Sequence, residues 1–365
     1  MLGSPRRGEA RYGVRVKRFL RTLARRAFAL TALGGLLACG GSPTTSPNID
    51  HLTGERRTPA EWEPQAAVWL QWPQAYEGEA VQSVFVSIAE RVAEYEPVVL
   101  LAADEDTLAR GRAALAEDAN ITWHVVPNDN SWMRDSGPRY VEVDGALVAQ
   151  NWEFDAWGGG FGRSIPYAAD NALPDAVAEL IGLPVERVGL VHERGDLEVN
   201  GVDTALVSWS VLSHRNPGLT RAQVAEVISR AHGVDSVIFI EGFDPRDGTR
   251  GHVDGAARFV DRETIVVAED GGALFDGYAG QIAEQRPDLK LVRMALPAGA
   301  PTMNWLIGNG FVLVGASGDE DVDERVADQL RSWYPSRDVL FIDVGALWEN
   351  GGGIHCVTND EPARP

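Results

Sequence analysis

The chain has 365 residues, with 33 basic and 53 acidic side chains and a formal net charge of −20. That balance argues against a nucleic-acid partner, whose phosphates call for a basic face. It favours small cations, which an acidic field draws inward, although acidity also serves solubility alone.

Residues 1–38 read as an export signal. Nine basic side chains face one acid, Glu9, and the apolar run from Phe28 to Ala38 is too short to span a bilayer. Arg25-Arg26-Ala27-Phe28-Ala29-Leu30 resembles a twin-arginine signal. Leu36-Leu37-Ala38-Cys39 resembles a bacterial lipobox, in which Cys39 is lipidated and becomes the mature N-terminus; the alternative is an ordinary cleaved signal with a chance cysteine. These features predict an exported lipoprotein of a bacterial cell envelope, bound to the membrane by its lipid anchor only. Residues 39–57 read as a flexible tether, on the composition of Gly40-Gly41-Ser42-Pro43-Thr44-Thr45-Ser46-Pro47. Beyond residue 38 the chain keeps 24 basic and 52 acidic residues, and the single cysteine of the exported domain, Cys356, excludes an intrachain disulfide framework there. Histidines are few and scattered, with no HExxH and no CxxC, so a metal site has little support.

A single catalytic domain is predicted over 58–362, large enough to prompt a search for an internal repeat. The repeat reads hairpin, helix, strand. Arg139–Val143 and Ala146–Asn151 flank an Asp144-Gly145 turn, a strong hairpin signal, with helix 171–181 and strand 188–191 after them. The second unit takes strands 197–199 and 205–209, helix 220–232 and strand 236–240. The third takes 258–260 and 264–267, helix 274–284 and strand 290–294. The fourth takes 305–307 and 311–314, helix 322–333 and strand 339–342. The fifth closes a ring by pairing Ile354–Thr358 with Ala67–Trp72, followed by a helix over 81–95 with apolar residues at 81, 84, 85, 88, 92 and 95. One position before each hairpin carries a chemically capable residue: Asp135, Asp196, Asp254, Asn304 and Cys356, at intervals of 61, 58, 50 and 52. A circular α/β array of five units brings these positions to one centre.

Cys356 ends the run Gly351-Gly352-Gly353-Ile354-His355-Cys356. Glycines let a backbone approach a ligand closely, and a thiol presented from such a turn is a candidate nucleophile. A buried, inert cysteine is the alternative. Trp132-Met133-Arg134-Asp135-Ser136-Gly137-Pro138, Gly251-His252-Val253-Asp254-Gly255, Thr58-Pro59-Ala60-Glu61-Trp62-Glu63-Pro64 and Asn216-Pro217 after Arg215 accompany it. In this order the segments resemble the agmatine deiminase family, which includes the Porphyromonas-type peptidylarginine deiminases. The resemblance covers about Thr58 to Pro362.

It implies a five-bladed, pseudo-symmetric α/β propeller with a central active site, no metal or organic cofactor, and hydrolysis of a guanidinium through a covalent cysteine thiouronium. Cys356 then matches the nucleophile, His252 the general acid and base, and Asp135 and Asp254 the carboxylates that grip the planar cation by paired hydrogen bonds. Trp132 is expected to lie against the cation. Asn304, Glu193, Asp196 and Gly353 are expected around the substrate. Arg134 is expected to be scaffold, and His355 to face away from the nucleophile, as neighbours in a strand do. Two departures concern the substrate's tail. The usual Glu-Gly-Gly reads Glu193-Arg194-Gly195, followed by Asp196, and the usual Tyr-x-Asn reads Thr302-Met303-Asn304. An arginine at 194 either favours a carboxylate-bearing or peptide-linked arginine or points into solvent. Agmatine leads as the substrate, giving N-carbamoylputrescine and ammonia, with peptide- or protein-linked arginine and free arginine as alternatives. A catalytically inactive receptor for cationic ligands is the reading from another class.

Overall fold

The computed structural model describes residues 47–162 and 164–365. The expected export signal, the Arg25-Arg26 pair and Cys39 lie outside the described residues. Among the described residues no helix is long and apolar enough to cross a membrane.

The expected five units are five separate sheets. In every one an antiparallel pair is followed by a parallel pair. Parallel neighbours need a crossover, and every unit has a helix in it. Ala168–Ile181 joins Ala146–Glu153 to Val185–Val191, and Arg221–His232 joins Thr204–Ser208 to Ser236–Ile240. Ala273–Gln285 joins Thr264–Glu269 to Lys290–Ala295, and Glu320–Trp333 joins Phe311–Gly315 to Asp338–Ile342. In the last sheet Glu79–Ala93 joins Gln65–Gln71 to Val98–Ala102. Its stripe Val81, Val84, Phe85, Ile88 and Val92 is buried against that sheet, each large side chain contributing roughly 1.5–3 kcal/mol. The Asp144-Gly145 turn has φ of 51° and 79°, the left-handed pair that a tight hairpin requires.

Two expectations about the chain are corrected. The tether does not extend to residue 57. Ile49 and Leu52 are buried against Trp152 and Leu190, and Arg56–Arg57 forms an edge strand on Arg139–Val143. Two apolar side chains in so polar a stretch find cover, and Arg56 is fixed by Glu186 at 2.6 and 2.8 Å. The closing strand is also shifted. Ile354–Val357 is a helical turn, and the strand that pairs with Gln65–Gln71 is Thr358–Pro362. The reason is local. Asn304 accepts from the backbone N–H of His355 and of Cys356, both at 3.2 Å, and Thr358 Oγ1 donates to Ile354 O at 2.9 Å. The backbone groups that an extended strand would offer to a neighbour are thereby satisfied within the turn.

Candidate active site

Every unit has a short helical turn before its first strand: Met133–Ser136, Arg194–Asp196, Val253–Gly255, Pro301–Met303 and Ile354–Val357. Turns from neighbouring units touch, and Asn304 closes the circle onto Cys356 N. The five positions singled out in the sequence therefore meet at one centre.

Cys356 is half-buried there, with Sγ 3.6 Å from Asp254 Oδ2. His252 lies between Asp135 and Glu193, with Nδ1 3.7 Å from Asp135 Oδ1 and Nε2 3.6 Å from Glu193 Oε2. Those separations exceed a hydrogen bond. Neither Glu193 Oε2 nor His252 Nε2 has another partner, so both are available to a bound molecule. Asp135 is aimed by Gly195 N at 3.0 Å and by Trp157 Nε1 at 2.8 Å. Glu193 is aimed by Arg215 Nε at 2.7 Å. Trp132 is half-buried, edge-to-face with Trp157 at 6.4 Å.

Glycine is demanded at two places. A Cβ on Gly195 would lie 2.7 Å from both Asp135 Oδ1 and His252 Nδ1. One on Gly352 would lie 2.5 Å from the Trp132 ring and 3.1 Å from Cys356 Sγ. The wall opposite is under strain. Ala156 and Trp157 take φ of 56° and 60°, where side chains other than glycine are rare. Such residues cost roughly 1–3 kcal/mol each. The indole bond to Asp135 and packing on Phe154 and Phe161 hold them.

The charges sort themselves by neighbour. Burial opposes charge on His252, but Asp135 and then Glu193 outweigh it and lift its pKa to about 10. Burial would raise the Glu193 carboxyl, yet Arg215 and His252 hold it down at about 2. Asp254 is likewise opposed by burial and held at about 2 by His355. Burial first, then Asp254 and Asp135, push the Cys356 thiol well up. These shifts pair an imidazolium with a neutral thiol.

Several expectations change. Asp196 does not face a substrate, because Ser208 N and His192 Nε2, each at 3.0 Å, take its two oxygens. Asn304 and Gly353 shape the nucleophile's turn: Asn304 Oδ1 accepts from Cys356 N, and a Cβ on Gly353 would meet that oxygen at 2.6 Å. Arg194 points neither to a substrate carboxylate nor into solvent, but donates to Asp360 Oδ2 at 2.8 Å and Asn359 Oδ1 at 2.6 Å. Arg134 pairs with Asp360 at 2.6 Å rather than with its neighbour Asp135. His355, expected to face away, is buried with Nδ1 2.8 Å from Asp254 Oδ2 and Nε2 2.8 Å from Glu61 Oε2. Helical spacing, not strand alternation, governs this pair. Trp157 and Arg215 were not anticipated either; the glycines at 158–160 between Trp157 and Phe161 were the available signal.

Glu61, Glu198 and His355 each place one ligand atom within 4.8 Å of the others. Arg258 already pairs with both glutamates, at 2.8 and 2.5 Å, so a guanidinium serves where a metal cation would.

The fold and site define a mixed α/β protein with one thiol among buried carboxylates and a histidine. The chain belongs to the Porphyromonas-type peptidyl-arginine deiminase family, whose model matches residues 57–362. It is 31% identical over 356 residues to the agmatine deiminase of Stutzerimonas stutzeri, covering 84% of this chain and 95% of that protein. It is 28% identical over 370 residues to that of Pseudomonas aeruginosa, covering 88% and 98%. The solved agmatine deiminase of Enterococcus faecalis superposes with a TM-score of 0.77 at 26% identity, over 85% of this chain and 97% of that one. The substrate-bound agmatine deiminase of C. jejuni shares the fold, with a TM-score of 0.76 at 21% identity, over 85% and 97%.

Proposed function

We propose that this chain deiminates a guanidinium through Cys356, with agmatine as the leading substrate. The observation that carries it is a half-buried thiol 3.6 Å from one carboxylate, with a second carboxylate and an imidazolium alongside. A planar cation between Asp135 and Asp254 accepts their paired grip and sets its carbon against Cys356 Sγ. Its positive charge offsets the carboxylates that keep the thiol protonated, so binding itself favours loss of the thiol proton to solvent, from which the released ammonia later takes it up as ammonium. The thiolate adds to the guanidinium carbon. His252 gives its proton to the departing ammonia, and a thiouronium remains on sulfur. Neutral His252 then takes a proton from water, whose oxygen adds to the same carbon. The carbon–sulfur bond breaks, releasing a ureido product and regenerating the thiol.

Agmatine is favoured over arginine because Arg194, the one added cation near the expected tail, is occupied by Asp360 and offers nothing to a carboxylate. Peptide-linked arginine is the second reading, supported by the export expected of residues 1–38. A colorimetric ureido assay over agmatine, arginine and an arginine peptide tests the proposal. Turnover of agmatine that vanishes in Cys356→Ser is expected. No ureido product from any of the three overturns the reading.

We also propose that Cys39 is lipidated and anchors an exported chain, as its place at the end of the apolar run suggests. Wild type should enter the detergent phase on partitioning and Cys39→Ala the aqueous phase. Wild type in the aqueous phase overturns the anchor.

A further inference from the structure

One buried carboxylate takes no part in the chemistry above. Asp170, in the first turn of the helix Ala168–Ile181, is wholly buried, as is Gln71, and Asn130 is 2% exposed. Asp170 Oδ1 accepts from Gln71 Nε2 at 2.8 Å and from Asp129 N at 2.9 Å, and its Oδ2 accepts from Asn130 Nδ2. Burial, joined by the Asp129 carboxylate, pushes its pKa up to about 7, while the donors on Asp129 N and Gln71 work against that rise.

A carboxylate only accepts, so it dictates which way the two amides turn. Gln71 gives its NH2 to Asp170 and therefore presents Oε1 to Ser136, whose Oγ donates to it at 2.9 Å. Asn130 likewise presents Oδ1 to the backbone N–H of Trp132, which donates at 3.1 Å. Ser136 ends the turn that carries Asp135, and Trp132 is the residue that caps its start. The Trp132 ring also lies against Gly352, where a Cβ would meet it at 2.5 Å, in the glycine run before Cys356. A strand end, a loop and a helix start, far apart in the chain, thus meet on one acid. A buried network of this kind is rigid only while every donor has its acceptor.

We infer that Asp170 is a positioning residue for the reaction: through Gln71 and Asn130 it fixes both ends of the turn that presents Asp135 and Trp132 to the substrate. It acts through other side chains and neither moves a proton nor forms a bond. The inference rests on the reading above, in which Asp135 grips the guanidinium.

The test is Asp170→Asn, which keeps the size of the side chain but replaces one acceptor by an NH2. Whichever way that amide turns, its NH2 faces another donor. At a temperature well below Tm, kcat for agmatine should fall by about ten- to a hundredfold. KM should change less, because the cation still meets two carboxylates but out of line with the sulfur. Combining Asp170→Asn with Asn130→Asp moves the carboxylate to the other end of the same hydrogen bond. Trp132 N keeps an acceptor, and so do Gln71 Nε2 and Asp129 N. The exchange should therefore recover most of kcat. If Asp170→Asn alone fails to fold, Ser136→Ala, which cuts one arm of the network, should lower kcat severalfold. Wild-type kcat in the folded single variant, or in Ser136→Ala, overturns the inference. An exchange that restores Tm but leaves kcat low also overturns it, since Asp170 would then serve stability alone. Absence of ureido product from wild type is a different result and sinks the deimination reading. Positioning is then judged from crystals, in which Asp170→Asn should displace the Asp135 carboxylate by about 1 Å; a superposable turn overturns it.

Discussion

His252 owes its charge to its two flanking carboxylates, and that charge has a measurable sign. Its pKa rises from 6.5 to about 10 on folding. A group raised in this way stabilises the fold fully below its unfolded pKa and loses that contribution as pH climbs through the folded value. The stability gap between wild type and His252→Gln, measured by denaturant unfolding, should therefore be widest below pH 6.5 and shrink toward pH 10. A gap that widens with pH would mean the imidazole is neutral in the fold. His355 is a different case. It is a positioning residue, holding Asp254 from one side and Glu61 from the other, each at 2.8 Å. His355→Gln keeps one hydrogen bond at most. A misplacement of about 1 Å can cost about a hundredfold in rate. We expect kcat to fall on that order, with an altered pH profile because Asp254 loses the group that depresses it. A change in KM alone would assign His355 to structure.

At the scale of elements, the turns before the strands matter more than the strands. Gly195 sits where a methyl would press on both Asp135 and His252 at 2.7 Å. Gly195→Ala should cost most of the activity while Tm falls by a few degrees; unchanged kinetics would show that the turn yields. Much of this level was legible beforehand. Long periodic helices and β-branched strands announced themselves, because 3.6-residue stripes and alternation follow directly from what each face buries. The pre-hairpin spacing located Asp135, Asp254 and Cys356 together. What failed was short. Ile354–Val357 is apolar at both ends and passes equally for a strand, and only Asn304, 52 positions earlier, settles it as a helical turn. His355 was lost with that choice of period. Asp196 and Arg194 misled for another reason. A charged residue near a site is drawn either inward or to a buried partner, and the partners, His192 and Asp360, were fixed by pairings that no local pattern encodes.

For the molecule as a whole, the net charge of −20 bears on encounter rather than on fold. If the substrate is cationic agmatine, attraction should assist its arrival. The Debye length shrinks from about 10 Å at 0.1 M salt to about 3 Å at 1 M, so kcat/KM should fall with added salt while kcat stays nearly constant. A salt-independent kcat/KM would mean that arrival is unassisted.

The closing sheet pairs Thr358 with Leu70, across nearly the whole described chain. An open array of repeats frays at its ends, since a terminal unit leans on one neighbour only. Here Gln65–Gln71 and Thr358–Pro362 share a sheet, and neither can peel away alone. Bridging so long a stretch makes the last pairing slow to form, because the entropy of closing the loop comes before its contacts. Once made, that pairing ties the first and last repeats to each other, so the five sheets have to come apart as a unit.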